Sequence, residues 1–169
     1  DTPTFAGFYG STSVMSESRW DGALRYSGDF GWGKLAAAGA YADYGTSTRG
    51  NATELDYILS SSASLLLPMG LNFTVSYAKR NQDNTDPYNI FGKVGYKFME
   101  KHAASIQYGV TENLSAKDDK GESFSLAYVF SPWKSVEFYA NYTVHMLDRD
   151  EGSDPDDINV GFFGGRVKF

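Results

Sequence analysis

Nine charged side chains stand at positions that alternate with apolar ones: Asp21, Arg25, Asp56, Arg80, Lys93, Lys97, Glu137, Arg166 and Lys168. On a strand, residues two apart share a face, so such charges gather on one side and their apolar neighbours on the other. Charges arrayed along a wet wall do a single kind of chemistry: they set the field that an ion meets as it passes. Solvated rim positions are the plainer reading of any one of them. Arg25 stands near mid-strand with Asp21 one pleat away, whereas Lys97, Arg166 and Lys168 fall near strand ends.

For covalent or metal chemistry the chain offers little. It has 2 histidines and no cysteine, which rules out a disulfide framework and a thiolate metal site. His145 stands near Asp148 and Asp150, an acid and imidazole set that could activate a water at a barrel rim. His102 reads as structural. Ser60 to Ser62 lack the Gly-x-Ser-x-Gly elbow of a serine nucleophile. Gly164 and Gly165 open no Lys-Ser/Thr helix, so no phosphate loop is present. The acidic tract from Asp148 to Asp157 misses the calcium-loop register, because counting Asp148 as position one puts Gly152 at five and Ser153 at six. It reads as a solvated loop, and no metal or cofactor is expected. A net charge of −6 speaks against nucleic acid, which wants a basic face.

The elements that position these groups are strands. Ten runs alternate with period two: Thr4 to Val14, Arg19 to Ser27, Lys34 to Tyr44, Thr53 to Leu67, Leu71 to Arg80, Tyr88 to Phe98, His102 to Thr111, Glu122 to Phe130, Val136 to Met146 and Ile158 to Phe169. Val136, Phe138, Ala140, Tyr142 and Val144 oppose Glu137, Tyr139, Asn141, Thr143 and His145; the Ala-rich third run fits least well. Connections alternate between long and short, apart from a brief first one at Met15 to Glu17. No stretch approaches the roughly 20 apolar residues of a spanning helix. With 41% apolar and 16% aromatic residues among 169, the chain is long enough for one domain, taken as 1–169. Its mean hydropathy of −0.39 suits strands with one wet face. A soluble sandwich would show the same alternation with its polar face outward, yet has no reason to alternate its loop lengths.

The last strand ends in Gly161-Phe162-Phe163-Gly164-Gly165-Arg166-Val167-Lys168-Phe169, with a terminal aromatic. It resembles the closing strand of Gram-negative outer-membrane β-barrels, in which the final Phe, here Phe169, is part of the membrane-assembly signal. The opening, Asp1-Thr2-Pro3-Thr4-Phe5-Ala6-Gly7-Phe8-Tyr9-Gly10-Ser11, resembles the turn and strand that follow the constricting loop of general bacterial porins. The fold class implied is an all-β antiparallel transmembrane β-barrel, with the ten strands matching the seventh to sixteenth of a sixteen-stranded porin.

The resemblance implies a water-filled channel in the outer membrane, passing ions and small hydrophilic solutes with no catalytic residue. Its partners would be outer-membrane lipid and lipopolysaccharide, and two further copies in a homotrimer. Six strands and the constricting loop would be missing, to be supplied by an N-terminal portion or a separate fragment. The chain opens on Asp1 with no signal segment, so an exported product has lost its leader or this is an internal piece. Two alternatives stay open: a narrow ten-stranded barrel serving as anchor or adhesin, and a rim protease of the omptin kind built on His145.

Overall fold

The computed structural model describes residues 1–16, 19–44, 55–82, 86–113 and 116–168. Ten strands form a single antiparallel sheet in chain order: β1 (Phe8–Val14), β2 (Trp20–Asp29), β3 (Lys34–Asp43), β4 (Leu55–Leu66), β5 (Leu71–Gln82), β6 (Tyr88–Phe98), β7 (His102–Glu112), β8 (Lys120–Trp133), β9 (Val136–Asp148) and β10 (Ile158–Val167). Phe169 lies outside the described residues. Every strand pairs with the next one in sequence, so a row of facing residues runs across the whole sheet. One such row is Tyr9, Arg25, Ala38, Ser62, Ser76, Phe91, Gly109, Ser123, His145 and Ile158.

The two faces differ as the alternation predicts, but their burial is the reverse of a soluble protein's. Among the described residues no hydrophobic side chain is buried. On the apolar face Leu24 is 58% exposed, Ile106 55% and Leu126 44%. Along β8 the exposed positions are Phe124, Leu126 and Tyr128, while Ser123, Ser125 and Ala127 between them are half-buried. Side chains fan apart on the outside of a curved sheet and crowd on its inside, so the apolar face is convex and the polar face concave. In water such a face needs a second layer over it. Acyl chains supply the same cover, and this face is built for them.

Aromatic rings edge the apolar band at both ends. Near the long connections Trp20 packs on Tyr41 at 5.3 Å and Tyr41 on Tyr57 at 5.5 Å, with Tyr77 and Tyr88 beyond. Near the tight turns Phe8 meets Tyr26 at 4.6 Å, and Tyr96, Phe98, His102 and Phe130 form a stack. Amphipathic rings settle where hydrocarbon gives way to headgroups. His102, placed at a turn by its sequence, belongs to this belt; its Nδ1 lies 2.5 Å from the Tyr128 hydroxyl.

Connections follow the expected parity. Phe30 to Gly33, Leu67 to Gly70, Met99 to Lys101 and Lys134 to Ser135 are tight and share one end of the sheet. The alternation read from Thr4 breaks at Ala6 and Gly7, whose φ angles of 49° and 85° make a two-residue turn. Phe5 and Phe8 close it by exchanging backbone hydrogen bonds of 2.8 Å, so β1 starts at Phe8. Beyond the turn Pro3 has no N–H to give. Thr2 stands in: its N–H donates to the Gly10 carbonyl at 2.7 Å, and its Oγ1 accepts from the Gly10 N–H at 2.8 Å. Within the sheet, β1 and β10 each have one strand partner.

The convex face should tolerate charge far less than the concave one. Leu126→Lys, at the middle of β8, should lower the unfolding free energy in lipid by about 2–4 kcal/mol. Ser125→Lys, one residue away and facing the other side, should change it little. Urea titrations of both variants in vesicles read the difference.

Candidate functional site

The concave face is lined mostly by small and hydroxylic side chains. Ala36, Ala38, Ala40 and Ala42 of β3 lie beside Ser64, Ser62, Ser60 and Ile58 of β4, and then Thr74, Ser76, Ala78 and Arg80 of β5. The Ala-rich run that fitted least well is thus a wall of short side chains. Hydroxyls bond across strands: Ser64 with Thr74 at 3.1 Å and Ser125 with Thr143 at 2.8 Å. Thr143 in turn donates to Asn141 at 2.9 Å.

On this background the charged residues fall into two groups. Glu137, Arg166 and Lys168 meet at the tight-turn end of β9 and β10. The Arg166 Nε donates to Glu137 Oε2 at 3.0 Å, its Nη2 reaches the same oxygen, and Lys168 Nζ takes Oε1. The carboxylate, 17% exposed, is fully engaged by the two cations. The cluster also fastens the end of the last strand to its neighbour.

Arg25 and Asp21 share the concave face but do not pair. Four residues along a strand span roughly 13 Å, beyond direct reach. Each finds a hydroxyl on β1 instead. Arg25 Nη1 donates to Ser11 Oγ at 2.9 Å and the guanidinium lies 5.7 Å from the Tyr9 ring centre, within cation–π range. Ser13 Oγ donates to the Asp21 carboxylate. Asp56 sits at the loop end of β4, where its carbonyl accepts the Tyr44 N–H at 2.8 Å.

Arg80, Lys93 and Lys97 make no ion pair among the described residues. Arg80 is level with Pro87, whose carbonyl accepts its N–H at 2.9 Å. Lys93 faces Thr74 on one side and Gln107 on the other. Lys97 faces Ala103, with its N–H donating to Gly70 at 2.9 Å.

His145 lies on the concave face between Ser123 and Ile158. Asp148, three residues on, is in register with Lys120 on the opposite face, so it does not join His145 as the rim-protease alternative would require. In the acidic loop the Arg149 N–H donates to Asp154 at 2.9 Å and the Asp150 N–H to Asp119 at 3.3 Å. Asp154 thereby holds the loop's own backbone, and Asp119, in the connection before β8, ties that loop to its neighbour. Among the described residues no group of three or more His, Asp or Glu side chains could hold a metal ion. The sequence reading missed the aromatic rings on the wet face. Tyr9 and Phe91 occupy the Arg25 row, and Phe162 meets Tyr139 edge-on at 6.2 Å. Parity with Arg166 marks Phe162 as a concave residue, a signal that its hydrophobicity concealed.

Residues 1–150 match the family of Gram-negative porins. No curated protein matches the chain. Among solved structures it is similar to an anion-selective porin from Comamonas acidovorans, with a TM-score of 0.66 and 18% identity over 98% of this chain and 56% of that one. It is also similar to the outer membrane channel DcaP of Acinetobacter baumannii, with a TM-score of 0.68 and 11% identity over 94% of this chain and 54% of that one. The outer-membrane expressed OmpT of Vibrio cholerae follows, at 0.61 and 18%, over 97% and 62% respectively. The chain thus spans little more than half the length of the structures it resembles. Its lipid-facing sheet, its ringed apolar band and the match along most of its length agree: the chain belongs to the Gram-negative porins, proteins of the bacterial outer membrane.

Proposed function

We propose that the protein forms a water-filled channel through which ions and small hydrophilic solutes diffuse passively, with no catalytic step. The observation that carries this reading is the concave wall. Its Ala and Ser rows from β3 to β5 leave space where a filled barrel would need bulky side chains. That favours a wide bore over a narrow ten-stranded anchor. A rim protease would need a carboxylate beside His145, and its concave neighbours Thr143, Leu147, Ser123 and Ile158 are all uncharged.

Such a bore requires more strands than these ten. Two open edges in hydrocarbon would leave rows of unbonded N–H and C=O groups at several kcal/mol each. The turn at Ala6 and Gly7 supports a strand on the free edge of β1, because Thr2 and Phe5 already hydrogen-bond along it. A sixteen-stranded whole, with these ten as the seventh to the sixteenth, agrees with a chain covering 56% of its first structural relative. Homotrimeric assembly and contact with lipopolysaccharide are carried over from the family.

Two measurements test this. Protein purified from outer membranes should give stepwise conductance in planar bilayers; a sealed barrel would give none. Its intact mass should be on the order of twice the 18.6 kDa of this chain, or a second fragment should copurify. A lone species of 18.6 kDa that still conducts would exclude the sixteen-stranded whole.

A further inference from the structure

Charge is distributed unevenly over this molecule. The chain as a whole carries −6. Yet the described concave positions of β5, β6, β7 and β8 include no acid, and their charged members are Arg80, Lys93 and Lys97. The acids of these strands, Glu112 and Glu122, point to the convex face, where Glu122 pairs with Lys120 at 3.1 Å. The nearest concave acids stand at the margins: Asp56 at the loop end of β4, and Glu137, already neutralised by two cations, at the turn end of β9.

The three cations are also spaced in height. Arg80 is level with Pro87, six residues before Lys93 on β6, and Lys97 lies four residues further on. At about 3.3 Å per residue that makes steps of roughly 20 Å and 13 Å along the strands, from the loop end to the turn end. Neutral donors flank the middle step: Thr74 and Gln107 face Lys93, and Ser76 and Ser105 lie diagonally from it.

We propose that this strip is an anion track: Arg80, Lys93 and Lys97 hand small anions from the outer mouth to the periplasmic one, which makes the channel anion-preferring despite the protein's acidic composition. The inference rests on the channel reading above. An ammonium on a wall backed by hydrocarbon projects its field into the bore, because the low-dielectric wall screens it poorly. Held in no ion pair among the described residues, each cation attracts a passing anion without closing a site around it, and the hydroxyl and amide neighbours of Lys93 replace part of the lost hydration. Entry is favourable and exit stays easy, as conduction requires. The acidic loop joins β9 to β10, three strands away from the strand that carries Lys93 and Lys97, and lies outside this strip.

The test is zero-current potential in planar bilayers under a KCl gradient, on protein purified whole from outer membranes. The unaltered channel should favour chloride over potassium. The triple variant Arg80→Gln, Lys93→Gln, Lys97→Gln should lower the chloride-to-potassium permeability ratio by at least about twofold. Lys93→Arg and the loop variant Lys117→Gln should leave it unchanged. If the triple variant does not assemble, Lys93→Gln alone carries the comparison, since that side chain makes no ion pair to lose. Clear conductance steps with cation preference, or with a ratio indifferent to these substitutions, would overturn the anion track and leave the channel standing. Absence of any steps would remove both.

Discussion

Hydrocarbon offers a peptide group nothing to bond with. That one constraint governs this chain, because each N–H and C=O left open in it costs several kcal/mol. An antiparallel sheet in strict chain order meets the demand along its interior, since each strand from β2 to β9 bonds on both sides. Even at Pro3, which has no N–H, the ladder is kept: Thr2 offers its own N–H to Gly10 and accepts Gly10's N–H on its hydroxyl. Side-chain packing, by contrast, contributes no protein core among the described residues. The hydrophobic term is satisfied by lipid, so stability here depends on backbone pairing and on keeping charge off one face.

This division of labour frees the other face for function. A soluble sheet of this size would spend its inner positions on bulky hydrophobic residues. Here Ala36, Ala38, Ala40, Ser60, Ser62 and Ser64 fill those places, short side chains that leave the concave face open. Charged groups on that wall differ in how they are held, and two of the arrangements are fixed. Glu137 with Arg166 and Lys168 is a closed knot that ties β10 to β9 and keeps one net positive charge at the turn end. Arg25 keeps its charge but is held by Ser11 and Tyr9, a fixed cation rather than a mobile one.

Much of this was legible in the sequence because a two-residue period determines the face of every side chain once one is known. The bounds of β6 at Tyr88 and Phe98, and the separation of Phe138 and Tyr142 from Glu137, follow from that period alone. Where the reading failed, a local backbone feature intervened. Periodicity ran straight through Ala6 and Gly7, where positive φ turns the chain and moves the start of β1. Asp21 and Arg25 looked adjacent in the sequence, and the rise of a strand keeps them apart. Cross-strand partners such as Ser11 for Arg25 depend on register, which no single strand encodes. Phe162 is a different case: its parity with Arg166 placed it on the concave face, yet nothing in the sequence pointed to its contact with Tyr139.

The two rings of aromatic side chains also act as a ruler. On β6, Tyr88 and Phe98 are ten residues apart, about 33 Å of strand, or near 25 Å of vertical height at a tilt of around 40°. That is the span of a thin bilayer, and bacterial outer membranes are thinner than most. In a thicker one the lipid would have to compress around the wall, at a fraction of a kcal/mol for each ångström of mismatch. The spacing of two rings on one strand therefore matches the molecule to one compartment's membrane by length alone.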